Sequence, residues 1–540
     1  MRSRALRARP DRPALEAVPT LPPAAPPRMT VAGLVYLRGQ DADGRLRELV
    51  AERARARAVL GELALALLAR QGLRELGFRS LDDWSRERLG LEGRTVREWA
   101  LVWKRLAGLP LLRRAAVAGE IGWTVAGLVA PLATPETEPA CLATVRGRTV
   151  RAVKELVAAV RREELRARNK EVAGPSAAEA VEEDAGERMR VRVPCTPELG
   201  RKWAVACELA RRVAGEELPA WACAEAIAAE AASAMGCPEG GCDPGPGIWT
   251  KRPERAQAPS REHGLRQRLW ARLRWEAPWE RPSRLAKLAE GAETCTPREL
   301  DRRLRAATGF LQTVDLEIGR LLKQVRDRRL YAELGLPSFE RYVTERLDLA
   351  PSTARRLVRL ARAEHSRPAV ATAFREGRIT LLQAEVLLRG GSLELARKVT
   401  LRRLEEEVLP QEVDFWAPPE VARLFVTMVE QVGLEALLDH ALATWLGMEQ
   451  RGQDYQIYKR DGWRCAMPAC RARRGLHAHH VIFRSHDGSD DAWNLLTLCV
   501  MHHQYLVHQG LIRIYGQAPD HLVFEMGVGK FASGDVKLTA

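Results

Sequence analysis

Eight of the eleven histidines fall between His477 and His521, and Cys465, Cys470 and Cys499 lie in or beside that window. Packing alone would spread histidines more evenly, so the composition there is that of a metal site. Cys465-x4-Cys470 and Cys499-x2-His502 form two short pairs of donors, the spacing a tetrahedral zinc ion (Zn2+) takes. Such a Cys3His site contributes folding free energy on the order of 10 kcal/mol in small zinc domains. The alternative is that Cys465 and Cys470 are small apolar core residues. A second group is His479-His480, Asn494 and His503, the last two standing 14 and 23 residues after His480. Phosphodiester hydrolysis needs a deprotonated water, a cation to stabilise charge on phosphorus, and help for the leaving oxygen. A histidine titrates near neutral pH and can accept the water's proton, an effect worth about 10²- to 10⁴-fold. His480 is the candidate base, and since neighbouring strand residues point to opposite faces, His479 addresses another side of the same phosphate.

Other residues of the window carry weaker expectations. Arg484, four residues past the base, presents a planar fork that suits a phosphate, with a surface role as the alternative. His508 lies five residues after His503, about one and a half α-helical turns. It is a candidate further metal or phosphate ligand, with capping or a surface role as the alternative. His477, His486 and His521 read as surface or strand residues.

The elements that must hold these groups follow from the local pattern. LHAHHVIF is strand-like, SHDGSDD is a polar turn, NLLTLC is strand-like again, and a helix is expected from near Val500. This β-β-α order, with its two histidines, asparagine and final histidine, resembles the HNH endonuclease family over about 60 residues. The resemblance implies a ββα-metal fold with His480 as general base and Asn494 tying down the loop and orienting His480. It also implies a divalent cation, Mg2+ or Mn2+, on His479 and His503, and cleavage that leaves a 5′-phosphate and a 3′-hydroxyl. Many members carry cysteine at both positions of the second zinc pair; His502 replaces one here, and zinc accepts either.

Upstream, Ala, Leu, Arg and Glu dominate from about residue 45 to 447 at helical spacing. A duplication is written into this stretch. Leu76–Ile121 aligns with Leu334–Ile379 at a constant offset of 258, with 13 identities in 46 positions that include Pro110/Pro368 and Gly119/Gly377. The likeness continues from Thr149 against Thr400 and from Val193 against Phe415. Expected organisation is a disordered basic tail (1–44), a first helical module (45–236), and a Gly/Pro then Arg/Trp-rich linker (237–297). A second module (298–447), the HNH-like domain (450–530) and a short tail (531–540) follow. Thr95 and Ser352 stand where helix N-caps belong. The repeated segment resembles the helix-turn-helix of ParB-like partition proteins, and the layout resembles bacterial HNH proteins with a helical domain of unknown function upstream. That resemblance implies DNA contact by Arg97, Lys104 and Arg105, or by Arg355, Arg356, Arg359 and Arg362. The alternative is that these arginines form the solvated face of a packed helix. Cys237-x4-Cys242 imitates the zinc pair, but no second pair stands nearby.

Lys and Arg outnumber Asp and Glu by 85 to 70, a formal charge of +15 that favours a polyanionic partner, nucleic acid first and an anionic membrane surface second. The longest apolar stretch, near Leu60 to Ala69, is half of the roughly 20 residues a spanning helix requires, so no membrane role is expected. Scattered cysteines without an export signal point to a reducing, cytoplasmic and nucleoid-associated protein. Arg451–Glu525 holds nine basic and seven acidic residues, so attraction to DNA must come largely from elsewhere. The best candidate is 251–287, where eleven basic residues interleave with Trp270, Trp275 and Trp279; the alternative is a linker helix whose tryptophans pack.

The expected fold is therefore multidomain, with mostly α-helical duplicated modules before a small C-terminal, zinc-containing α+β domain of ββα-metal type. The expected function is metal-dependent hydrolysis of DNA, by nicking or double-strand cleavage. RNA stays open as substrate and a homodimer stays open as assembly. The rival reading is a non-catalytic DNA-binding, partition-like protein that keeps the HNH segment as a zinc-stabilised fold.

Overall fold

A computed structural model of the chain describes residues 38–171, 188–235, 249–251, 283–448 and 452–538. The basic segment 1–37, the Cys237/Cys242 pair and most of the Arg/Trp stretch lie outside the described residues. What is described is mostly helical, with a small C-terminal sheet region. No helix among the described residues is long and apolar enough to cross a membrane.

The duplication governs the helical part. Helix α1 (Gly39–Ala69) and helix α3 (Pro297–Asp327) are both 31 residues long and start 258 residues apart. Helix α2 (Gly93–Leu106) and helix α4 (Pro351–Ser366) keep the same offset at their starts. Ser80 and Ser338, again equivalent, each accept a backbone N–H of the first helical turn. In each copy a proline then opens a short helix, Pro110–Ala118 or Pro368–Arg375, and a glycine of positive φ, Gly119 or Gly377, follows its end.

Three sequence expectations are corrected. Residues 39–44 are not tail but the first turns of α1, held because Gly39 N–H donates to Glu333 and buried Asp43 pairs with Arg346. Thr95 and Ser352 are not caps. Both helices start earlier, at Gly93 and Pro351, and the free N–H of Gly93 is taken by Asp82 of the preceding helix at 2.9 Å. Residues 531–537 are not tail either: Ala532 ends a strand and Asp535 is buried, because its carboxylate neutralises buried Arg402 at 2.5 Å.

The two copies face each other about a pseudo-two-fold axis. Strand β1 (Met189–Cys195) pairs antiparallel with strand β3 (Gln411–Ala417), its own equivalent, while β2 (Trp249–Lys251) flanks β1. The central rung joins Arg192 to Asp414, which are equivalent positions, so the axis passes between them. α1 packs along α3; helix Pro197–Ala214 packs on Leu434–Met448, and reciprocally Ala220–Met235 packs on Pro419–Val432. Such reciprocity is the signature of an isologous dimer interface, here within one chain. Asp43 of copy 1 pairs with Arg346 of copy 2, and the equivalent Asp301 of copy 2 pairs with Arg88 of copy 1 at 2.6 Å. Trp84 Nε1 donates to Asp301 at 2.9 Å.

Small residues set the helix spacing. A Cβ on Gly61 would lie 2.6 Å from the Trp99 carbonyl oxygen, and one on the equivalent Gly319 would lie 2.4 Å from that of Leu357. α1 can therefore approach α2, and α3 can approach α4, only where no side chain intervenes. One apolar core runs from Ala54 of α1 through Leu300 and Phe425 to Phe524 near the C-terminus.

The C-terminal part builds a hairpin of β4 (Leu476–His480) and β5 (Leu495–Cys499), a π-helical turn (Met501–Val507), and a four-stranded meander. The meander comprises β6 (Arg513–Gln517), β7 (His521–Met526), β8 (Gly529–Ala532) and β9 (Val536–Lys537). This region sits on both copies. Gly475 N–H donates to Glu208 of copy 1, Lys537 pairs with Glu87 of copy 1 at 2.8 Å, and Arg402 of copy 2 donates to the carbonyls of Cys465 and Cys470.

Two outcomes test this packing. Gly319→Ala should destabilise the fold by about 1–3 kcal/mol through overpacking, whereas Gly309→Ala, in the same helix with open space around it, should stabilise by about 0.5–1 kcal/mol. Guanidinium unfolding measures both, and the signs must differ. Burial pushes the Asp348 carboxyl up to about 7, against the pull of Arg57, Lys154 and Arg53. A raised carboxyl stabilises fully below its unfolded value and loses that stabilisation as pH climbs through 7. Asp348→Asn should therefore flatten the decline of stability between pH 4 and 7, read as melting temperature against pH.

Candidate functional site

The zinc donors converge. Cys465, Cys470, Cys499 and His502 are all buried and present ligand atoms within 4.8 Å of one another. His502 Nδ1 lies 3.5 Å from Cys465 Sγ and 3.3 Å from Cys499 Sγ. Zinc bonds of about 2.3 Å to sulfur and 2.0–2.1 Å to nitrogen, at a tetrahedral angle, put S and N about 3.5 Å apart. The donor set and its spacing thus fit the ion. Burial raises the Cys465 thiol, while hydrogen bonds from Cys465 and Cys470 push Cys499 down to about 3, so the cluster already favours a thiolate.

Local sequence explains the convergence. Cys465 and Cys470 lie on a tight knuckle that needs left-handed backbone at Trp463 and Ala469, and Cys465 N–H closes it by donating to the Ala472 carbonyl at 3.0 Å. Cys499 ends β5, and His502 follows one turn later. Arg402 locks the knuckle from the helical side, its guanidinium reaching two knuckle carbonyls and Asp535 at once.

The histidines form a second group. His479 is buried on β4, opposite Leu496, and its ring meets those of His503 and His508 at centroid distances of 4.9 and 5.5 Å. Ligand atoms of these three also lie within 4.8 Å of one another. His503 Nε2 and His508 Nε2 face each other at 3.2 Å. Buried His479 Nε2 and His503 Nδ1 have no hydrogen-bond partner. Burial, reinforced by the neighbouring imidazoles, pushes His479 down to about 3 and His503 to about 4. Neutral rings with lone pairs turned together are what a divalent cation requires.

The π-helical turn creates this group. Residues five apart sit on different faces of an α-helix, which has 3.6 residues per turn. In the π turn His508 N–H donates to the His503 carbonyl, an i to i+5 bond at 3.2 Å, and the two rings fall on one face. The expectation of His508 one and a half turns away is corrected by that bond.

His480 points elsewhere, toward the turn. Its Nε2 lies 2.7 Å from Asp490 Oδ1. A carboxylate only accepts, so Nε2 carries a proton, and in the neutral ring the lone pair is on Nδ1. Arg484 Nε and Nη2 reach the same Asp490 oxygen at 3.0 and 2.5 Å. Its fork is engaged there, although the side chain stays largely exposed. Asn494 is fully buried: its Oδ1 accepts from Ile482 N–H at 2.7 Å, and its Nδ2 donates to the carbonyls of Ile482 and Ser489 at 3.0 and 2.7 Å. It ties both ends of the loop between His480 and Asp490 and so acts on His480 through the loop rather than by contact. Asp490 escaped the sequence reading; its only signal was the acidic SHDGSDD run.

Arg97 and Arg355 are exposed on α2 and α4, far along the chain from these groups. Arg356 is paired with Glu385, and Arg362 with Asp327.

Residues 298–462 match the family described as Domain of unknown function (DUF222). The matched stretch runs from the start of α3 to the turn before the knuckle and so covers the second copy of the repeat. No curated protein and no solved structure matches the chain.

Elemental analysis tests the first centre: Cys465→Ser should lose one zinc per chain and several kcal/mol of stability, on the order expected for small zinc domains. His480→Ala and Asp490→Asn should keep both the zinc and the wild-type melting temperature.

Proposed function

We propose that the chain is a metal-dependent HNH-type endonuclease that hydrolyses phosphodiester bonds in DNA. The observation that carries this reading is the convergence of His479, His503 and His508, with two orphaned ring nitrogens, beside a histidine held by a carboxylate. The DUF222 match adds to it, since that family is often found next to HNH domains.

A divalent cation on the three histidines would supply positive charge to the phosphate oxygens and the leaving oxygen. His480 receives the proton of the attacking water at Nδ1. Asp490 keeps the Nε2 proton in place and compensates the charge the ring acquires, as a carboxylate does for the histidine of a hydrolytic triad. Asn494 keeps the loop from relaxing, so the base stays aimed. Arg484 braces Asp490 and can turn to a phosphate, being exposed. Exposed Arg97 and Arg355 offer contacts to the DNA backbone farther away.

Supercoiled plasmid with Mg2+ or Mn2+ tests the reading. Wild type should nick or linearise it, His480→Ala should be slower by about 10²- to 10⁴-fold, and chelation should abolish cleavage. Asp490→Asn should lower kcat by about tenfold or more while leaving binding intact, because the base loses its charge partner. Equal cleavage by wild type and His480→Ala would sink the proposal and favour a non-catalytic DNA-binding protein with a structural zinc. A parallel RNA substrate decides between the nucleic acids.

A further inference from the structure

Where the C-terminal region meets the helical copies, a cavity of about 430 Å³ opens beside the zinc knuckle. Its wall carries Arg201 of copy 1, Arg402 of copy 2, and Arg464, Arg471 and Arg473 of the C-terminal region. Carboxylates balance only part of this charge. Asp535 takes Arg402, Asp82 takes Arg471 at 3.2 Å, and Glu406 is shared between Arg464 and Arg201. Glu405 also lines the cavity and shares Arg86 with Glu92. Arg473 donates to the Gly200 carbonyl at 3.4 Å and ion-pairs with no carboxylate among the described residues. Arg201 Nη1 is buried and faces Glu406 at 3.2 Å without making a hydrogen bond to it. Five arginines thus face four carboxylates, Glu405, Glu406, Asp82 and Asp535, and a net positive charge is left over in a half-enclosed space, where a like charge costs more than in water.

The repeat supplies an internal comparison. Arg201, Arg402 and Glu406 correspond to Arg423, Arg151 and Glu155 on the opposite side of the axis. There Arg151 and Glu155 pair with each other at 3.1 Å in solvent, each more than half exposed. The half-enclosed, arginine-lined wall arises where the C-terminal region adds Arg464, Arg471 and Arg473.

We propose that this cavity binds a phosphate-bearing anion. Guanidinium forks match phosphate oxygens two by two, and the net positive wall favours an anion. The phosphate can belong to a nucleic acid or to a free nucleotide. Bound there, it joins copy 1 to the C-terminal region through Arg201 and Arg473, so occupancy stiffens the docking of that region. The site stands apart from the histidine group, and its test needs no cleavage.

Full-length, zinc-loaded protein without added Mg2+ is titrated calorimetrically with pyrophosphate, and its melting is followed against chloride at equal ionic strength. Pyrophosphate should bind saturably and raise the melting temperature. Arg473→Gln should weaken binding about tenfold, the worth of one charged hydrogen-bonded contact. Gln411→Glu adds a negative charge to the same wall without removing an ion pair, and should weaken binding similarly while melting as wild type does in chloride. Competition by a 5′-phosphorylated oligonucleotide identifies nucleic acid as the source, and competition by a nucleoside triphosphate alone identifies a free nucleotide. Pyrophosphate stabilising no better than chloride, or binding equally to wild type and to both variants, would overturn the assignment.

Discussion

Each copy of the helical repeat buries an aspartate whose salt bridge comes from the other copy. Asp43 depends on Arg346 and Asp301 depends on Arg88, so the charges cross the pseudo-two-fold axis in both directions. Removing one partner of such a pair would leave a buried charge uncompensated, typically at about 3–5 kcal/mol. The copies are thus bound to each other by desolvation as well as by the packing of α1 on α3 and the pairing of β1 with β3. Whatever the C-terminal region does, it does on a platform that exists only when both copies are in place.

That platform is used asymmetrically. The zinc knuckle, the β4–β5 hairpin and the meander rest on residues from both copies, gathered by Arg402 and Asp535. A buried guanidinium needs its donors answered, and Arg402 answers them with two knuckle carbonyls and one carboxylate. The equivalent Arg151 remains in solvent with Glu155. One chain therefore carries a two-fold scaffold and, among its described residues, one histidine centre.

Within the C-terminal region the two groups of candidate metal ligands share one short segment. His502 faces the thiols and His503, its neighbour, faces His479 and His508. Fixing the knuckle therefore fixes the register of the π turn. A zinc ion in the first centre would order the second without touching it, as outer contacts of metal sites commonly do.

Much of this was legible from residue types and short spacings, because those are local properties. The Cys-Cys and Cys-His pairs, the adjacent histidines and the strand-turn-strand order are each set by neighbours close in the chain. The duplication was legible too, since a constant offset survives in the sequence. Its start at Gly39 was not, because what holds Gly39 and Asp43 in place is Glu333 and Arg346, some 300 residues away. Nor could composition reveal that His503 and His508 share a face: an α-helix separates them, and only the i to i+5 bond of the π turn brings them together. Asp490 as partner of His480, Asp535 as partner of Arg402, and the arginine-lined cavity all depend on chain segments meeting in space. Sequence determined which donors are present and in what order; tertiary structure decided which of them meet, because burial rewards only those polar groups that find an answering charge or hydrogen bond.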